Sequence, residues 1–396
     1  MNICYICNEY PEGPHGGVGT MTKLLAEELA SRGNSVKVIG VYNSDYPSAN
    51  YNIQNGVEVT RIKVNYKNRF AVLWGNWLMA RKIKSWIKKN LVDIIESPDS
   101  YGMFSLFAKF KKPLVLRANG NNTYFSSILN IPLKKNTAFY ERNLYKKAFA
   151  YCAVSAFTAN KMKLLFNIED SITVIYNAVA IQQDEFKTLK NYKDLQELSN
   201  PIIFSGTLTP KKGIYELVRA MIILLNKGVE VTLIINGKDS VNIKTGKSVK
   251  SELLEMISQD LLKQFIFNGH VTREELFSQY KKSKAAIFPS FAEAFALAPM
   301  EAMALGIPTI FSGECSGGEL IINNEDGLLI DPSSEESIAQ AIEYVIQNPT
   351  IAKIIGQKGK EKIERYFSKE TMATKSIAFY QKIQNSFSAK QLHLKN

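Results

Sequence analysis

Short apolar runs alternate along this chain with stretches in which apolar residues recur every three to four positions. Runs over residues 3–7, 35–41, 57–64, 92–95 and 114–116 read as strands. Between the first two lies a helix over 21–32, with Met21, Leu24, Leu25 and Leu29 on one face, Thr20 as N-cap and Gly33 as stop. The pattern restarts near residue 200. Strands are expected over 201–204, 231–235, 285–288 and 308–311, and helices over 214–226, 274–281, 299–305 and 337–347. Strands separated by helices predict βαβ units, an α/β fold whose parallel sheets carry helices on both faces. The second set is not a sequence repeat of the first. The polar stretch 182–200 is the expected linker, and helices over 368–386 lead into a basic polar tail.

Composition narrows the class. At 396 residues and 45% hydrophobic, the chain is long enough for two domains with large cores, and too apolar to be disordered. No apolar run approaches the ~18–20 residues of a membrane span. The start, MNICYICNEYPEG, lacks the basic segment and cleavage site of a signal peptide, which predicts a cytoplasmic protein. Cys4 and Cys7 have the spacing of a metal or redox pair. On a strand, however, they point to opposite faces and cannot grip one ion. Cys152 lies in an apolar strand-like run and Cys315 in a Gly/Ser loop, and both read as ordinary thiols. His15, His270 and His393 are not spaced for a metal, so no metal site is expected. Charge is lopsided: residues 1–180 hold 23 Lys and Arg against 12 Asp and Glu, nearly all of the net +12. Such a surface suits a phosphate-bearing ligand, a nucleic acid or an anionic membrane, and it also suits plain solubility.

Three segments carry candidate chemistry. PHGGVGT, residues 14–20, joins a strand to a helix and could offer free N–H groups to an anion. It matches neither the dinucleotide fingerprint nor the P-loop, and a tight turn without ligand fits as well. SGTLTPKKG, residues 205–213, places Lys211 and Lys212 where a phosphate at the end of a sheet would lie. Alone, a solvated lysine pair is the simpler reading. FPSFAEAFALAPMEAMALG, residues 288–306, carries Glu293 on a loop and Glu301, eight positions on, in the expected first turn of a helix opened by Pro299. Both sit at the carboxyl end of a strand, where open α/β sheets bind ligands. Singly, Glu293 is a surface glutamate and Glu301 a helix-start acid. Together on one strand–loop–helix they suggest diphosphate and sugar binding.

The run EAFALAPMEAMALGIP resembles the signature of the family 4 glycosyltransferases. Gly16–Gly17–Val18, Val154–Ser155, the run VIYNAV at 174–179, Gly206, Lys212–Gly213, Gly269, Glu275 to Tyr280, SGGE at 316–319 and DGLL at 326–329 resemble that family's other motifs in order. The resemblance covers about residues 1–370. It implies a GT-B fold: two Rossmann-like domains, 1–180 and 181–371, facing across a donor cleft, with a C-terminal helix over about 372–396 packed back on the first. It further implies a retaining transfer from a UDP- or GDP-linked sugar, with no cofactor beyond that co-substrate. Glu293 then holds the donor sugar and Glu301 the ribose. Lys212 and the amides around Phe295, Ala296 and Leu297 bind the diphosphate, and Gly16 and Gly17 close over the donor.

Departures from the pattern are specific. Thr207 stands where the family usually has arginine after Gly206, and Lys211 could replace only its charge. Ala294 and Ala296 stand for glycines, at a cost of roughly 1 kcal/mol if either needs positive φ. Asn119 stands for a histidine; it can hydrogen-bond a sugar hydroxyl but cannot act as a base. All three tryptophans fall in 74–86, with Trp74, Trp77, Leu78 and Arg81 on one helical face and Trp86 and Ile87 extending it. Lys82, Lys84, Lys88 and Lys89 crowd nearby, as in an interfacial membrane helix, whereas the tryptophans fit better a helix packed on its sheet with a basic outer face. The combined expectation is a glycosyltransferase serving a glycan or lipid-linked acceptor, peripheral on the inner face of a membrane. The alternatives are a nucleotide-sugar epimerase of the same fold or a non-catalytic sugar-nucleotide binder. No nucleic-acid module is present in the sequence.

Overall fold

The computed structural model describes residues 1–180 and 198–393. Two compact units emerge, one comprising Met1–Ala178 with the chain from Lys369 onward, the other Val179–Ser368. The linker expected over 182–200 falls largely outside the described residues.

The first unit runs β1 (Asn2–Ile6), α1 (Gly17–Ser31), β2 (Ser35–Asn43), β3 (Tyr51–Gln54), β4 (Val57–Val64), α2 (Arg69–Lys88), β5 (Ile94–Pro98), β6 (Leu114–Ala118), α3 (Asn122–Leu129), α4 (Lys135–Lys147), β7 (Ala150–Ala153), α5 (Ala156–Phe166) and β8 (Ile172–Val174). Its described residues form one sheet in the order β3-β4-β2-β1-β5-β6-β7-β8, parallel except where β3 pairs antiparallel with β4. Ile3, Tyr5, Val36, Val38, Val57, Val59 and Val115 fill its core with Leu25 and Leu29 of α1. The sequence reading lacks β3, although the Asn55–Gly56 turn that makes this hairpin has φ of 45° and 81°, the left-handed pair that Asn-Gly favours.

The second unit runs β9 (Pro201–Ser205), α6 (Ile214–Asn226), β10 (Thr232–Asn236), α7 (Val249–Met256), β11 (Phe265–Gly269), α8 (Arg273–Lys282), β12 (Ala285–Phe288), α9 (Leu297–Ala304), β13 (Thr309–Ser312), α10 (Gly317–Leu320), β14 (Leu328–Ile330), α11 (Glu335–Gln347) and α12 (Pro349–Tyr366). Its described residues form a wholly parallel sheet, β11-β10-β9-β12-β13-β14. Such a sheet is covered on both faces, and every residue of β9, β10, β12 and β13 is buried.

The last helix, α13 (Lys369–His393), belongs to the first unit. Met372, Ala373, Phe379 and Tyr380 join that unit's core. Tyr380 donates its hydroxyl proton to Glu96 Oε2 at 2.6 Å, so Tyr5, 2.8 Å away, donates to Tyr380. Arg117 grips the same carboxylate with Nε at 2.7 Å and Nη2 at 3.2 Å. A buried carboxylate is tolerable only with such partners.

Two expectations about α2 and α1 change. Trp86 is 9% exposed and packs inward, whereas Trp74 is 58% exposed and Phe70 84%. At 100° per residue, position 86 turns away from position 74, so Trp86 does not extend the outer aromatic face. Helix α1 begins at Gly17 with Gly16 as N-cap, so Thr20 lies inside the helix. The early start follows from Glu9, whose Oε1 accepts the Gly19 N–H at 2.8 Å and so serves as the cap.

Candidate functional site

In the second unit the chain leaves β9, passes Gly206 and an exposed Thr207, and turns through Pro210–Lys212 into Gly213. Gly213 has φ 67°, and a Cβ there would stand 1.9 Å from the Pro289 carbonyl oxygen. Only glycine lets the lysine turn approach the loop after β12 so closely. Phe291 N–H adds a 2.9 Å bond to the Lys211 carbonyl. These contacts bring Lys212 Nζ onto the Glu293 carboxylate as an ion pair with side chains 24% and 15% exposed. Burial pulls the Lys211 ammonium below the usual lysine range, an effect that Glu293 opposes.

Glu293 leads into α9, which starts at Leu297, two residues before the expected start. Proline is accepted throughout a first turn because the first N–H groups lack intrahelical partners anyway, so Pro299 does not mark the first helical residue. Glu301 therefore lies in the second turn, beyond the first-turn positions where an acid offsets the helix dipole. The N-cap of α9 is Ala296, whose side chain makes no capping bond. With no side-chain oxygen there to bond the first amides, this is the kind of helix start that suits an anion. Phe295 is 5% exposed and its ring packs on Phe367, so any ligand contact it makes is through its backbone. Neither Ala294 nor Ala296 is among the positive-φ residues, and Ala296 has φ −74°. Alanine in place of glycine is thus unstrained at both.

Glu301 accepts from Arg273 Nε at 3.2 Å. Arg273 opens α8 behind Thr272, which forms a reciprocal capping box with Glu275. Sequence reasoning missed Arg273. The Thr-Arg-Glu-Glu run signals a helix start, but nothing local reveals a partner 28 positions away.

In the first unit, Asn119 follows β6. Its N–H donates to Asp99 Oδ1 at 3.0 Å, and its Nδ2 to the Arg117 carbonyl at 3.0 Å. Asp99 is fully buried and also accepts from Tyr145 OH at 3.2 Å. Burial pushes its carboxyl up to about 7. The N-terminus of α3 is filled by buried Glu141, which accepts from the Asn122 and Thr123 amides at 3.1 and 3.0 Å. Gly16 and Gly17 sit at the N-terminus of α1, over Glu9. The N-termini of α1 and α3 are thus met by carboxylates of the chain itself.

Among the described residues, no cluster of three His, Cys, Asp or Glu could hold a metal ion, and no helix is long and apolar enough to cross a membrane.

Residues 15–183 match the family model described as Glycosyltransferase Family 4, and residues 185–362 the model described as Glycosyl transferases group 1. An uncharacterized glycosyltransferase of Methanocaldococcus jannaschii is 25% identical over 400 residues, 96% of this chain and 98% of that protein. Sucrose-phosphate synthase from Thermosynechococcus elongatus is similar in structure, with a TM-score of 0.77 at 18% identity over 97% of this chain and 99% of the other. Anabaena HepE, solved in complex with UDP and glucose, is similar with a TM-score of 0.72 at 17% identity, over 96% and 99%.

Proposed function

The chain belongs to the family 4 glycosyltransferases, with the GT-B fold, and on that premise we propose that it moves a sugar from a UDP- or GDP-linked donor, with retention, to a glycan or lipid-linked acceptor in polysaccharide or glycolipid assembly. The observation that carries the donor reading is the Lys212–Glu293 pair beside the start of α9, with Glu301 on the same helix. As the bond from C1 to the diphosphate oxygen breaks, its electron pair stays with the diphosphate. Lys212, Lys211 and the α9 amides meet that charge, the kind of fixed electrostatic stabilisation that contributes most in such steps. Glu293 accepts from sugar hydroxyls and Glu301 from the ribose. In the first unit, Gly16 and Gly17 are assigned to donor binding and Asn119 to a sugar hydroxyl. UDP is the first candidate nucleotide because HepE binds it.

A membrane-borne acceptor is favoured by α2. Between 69 and 88 it carries five basic residues and no acidic one, and Trp74 stacks on Trp77 with ring centroids 4.6 Å apart. Its N-terminus follows β4, so the exposed Phe70 and Trp74 lie near the carboxyl edge of the sheet. A basic helix with exposed aromatics suits the interface of an anionic bilayer, here the inner face of the membrane.

The decisive experiment is a thermal-shift panel of sugar nucleotides, followed by transfer assays with the donor that binds. A bound donor raises the melting temperature by mass action. Acceptor-dependent release of nucleoside diphosphate supports transfer. Donor turnover without acceptor would indicate an epimerase, and binding without any turnover a non-catalytic binder.

A further inference from the structure

Arg273 is held on three sides. Its Nε donates to Glu301 Oε1 at 3.2 Å, its Nη2 donates to the Ala180 carbonyl at 3.0 Å, and its guanidinium lies 4.7 Å from the centroid of the buried Phe277 ring. A planar fork with one face on an aromatic ring and two edges bonded has a single orientation, which a lysine could not reproduce. The Arg273 side chain is 39% exposed, and a pair this accessible contributes little to fold stability. Its effect must be sought in what it does to Glu301.

Two consequences follow for that carboxylate. A glutamate side chain has several rotamers, and pinning one oxygen removes most of them before a ligand arrives. A carboxylate near a diphosphate also repels it, and a guanidinium on the carboxylate cancels that repulsion. A carboxylate offers about four acceptor positions, so it can serve an arginine and a sugar diol together.

We propose that Arg273 is a positioning residue that fixes Glu301 for the ribose diol of the donor, and so sets the enzyme's preference for ribonucleotides. This rests on the assignment of Glu301 to the ribose. The role differs from that of the lysine turn: Lys212 answers the phosphates, whereas Arg273 acts through Glu301 on the nucleoside.

The test is calorimetry with UDP and GDP, using whichever binds more tightly, and with its 2′-deoxy and 3′-deoxy forms. It compares the wild type with Arg273→Gln, Glu301→Gln and the double variant. Arg273→Gln is expected to weaken the ribonucleotide roughly tenfold while weakening the deoxy forms much less, so that the ribo/deoxy ratio collapses. Glu301→Gln should collapse the same ratio, and the double variant should lose little more than either single one. If Arg273→Gln weakens ribo and deoxy forms alike, or leaves the ratio intact while Glu301→Gln destroys it, the positioning role is overturned and the ribose assignment survives. If Glu301→Gln leaves the ratio at its wild-type value, the ribose assignment itself falls, and this inference with it.

Discussion

Lys212 and Glu293 stand 81 positions apart in the chain and meet as an ion pair on neighbouring strand ends. Without ligand, each neutralises the other. A donor therefore enters a site whose charges are already arranged, and it must satisfy both partners at once. Glu293→Ala is expected to lower turnover by about 10²-fold or more, roughly 2.7 kcal/mol, with circular dichroism unchanged. Lys212→Ala should weaken the nucleoside diphosphate by roughly tenfold or more, the scale of a charged hydrogen bond. Lys211→Ala should weaken it less. Equal, negligible losses for both lysines in calorimetry would remove the turn from the phosphate site.

Thr207 is exposed on the loop after β9. Thr207→Arg should tighten binding of the donor diphosphate, because a guanidinium adds a bidentate fork that a lysine cannot supply. The measurement is the dissociation constant of the nucleoside diphosphate. A weaker constant would mean that the phosphates lie away from this loop.

Asp99 makes stability depend on pH. Its folded carboxyl titrates at about 7, above the ordinary value of 3.8, because it is buried. A raised folded value means that the native state binds the proton more tightly than the unfolded chain. The contribution is therefore fully present below about pH 4 and is lost as pH rises toward 7. Asp99→Asn, which cannot ionise, should flatten urea-unfolding stability across this window. If the slope between pH 4 and 7 is the same in both proteins, Asp99 is not its source.

Helix α2 predicts binding to anionic liposomes at low salt, little to neutral ones, and release by high salt. Each lysine or arginine near such a surface contributes roughly 1 kcal/mol, screened beyond ~8–10 Å. Replacing Lys82, Lys84, Lys88 and Lys89 with glutamine should free the protein in co-sedimentation while leaving nucleotide affinity unchanged. Trp74→Ala should also weaken binding at low salt, since insertion of the exposed aromatic ring adds to the charge attraction. A wild type that ignores anionic liposomes would favour a soluble acceptor.

Much of this architecture can be read from periodicity, and the reasons for the misses are local. The helix at 214–226 and the strand at 285–288 agree with the structure residue for residue, because apolar spacing and flanking turns coincide there. The starts of α1 and α9 differ from the expectation because each depends on something outside the helix. Glu9 caps α1 from ten positions upstream, and α9 accepts Pro299 beyond its first residue. The Lys211–Lys212 turn and the two glutamates stand out in the sequence through spacing and family pattern. Arg273 does not, since its pairing with Glu301 is made by the sheet order and leaves no periodic trace. Strand β3 was within reach, as Asn55–Gly56 between two β-prone runs is a strong hairpin signal.

The Tyr5–Tyr380–Glu96–Arg117 network has a consequence for how the protein is made. Ribosomes deliver the N-terminal segment first, and domains ordinarily complete themselves in that order. Here, residues 369–393 complete the core around β1, β5 and β6, and they are translated only after the whole of the second unit. Until they arrive, the Glu96–Arg117 pair lacks its tyrosine partner and a strip of apolar surface over the first sheet stays uncovered. The second unit, encoded without interruption between residues 179 and 368, can close first. A nascent chain stalled near residue 370 would therefore hold a protease-resistant second half behind a first half that is still open to digestion.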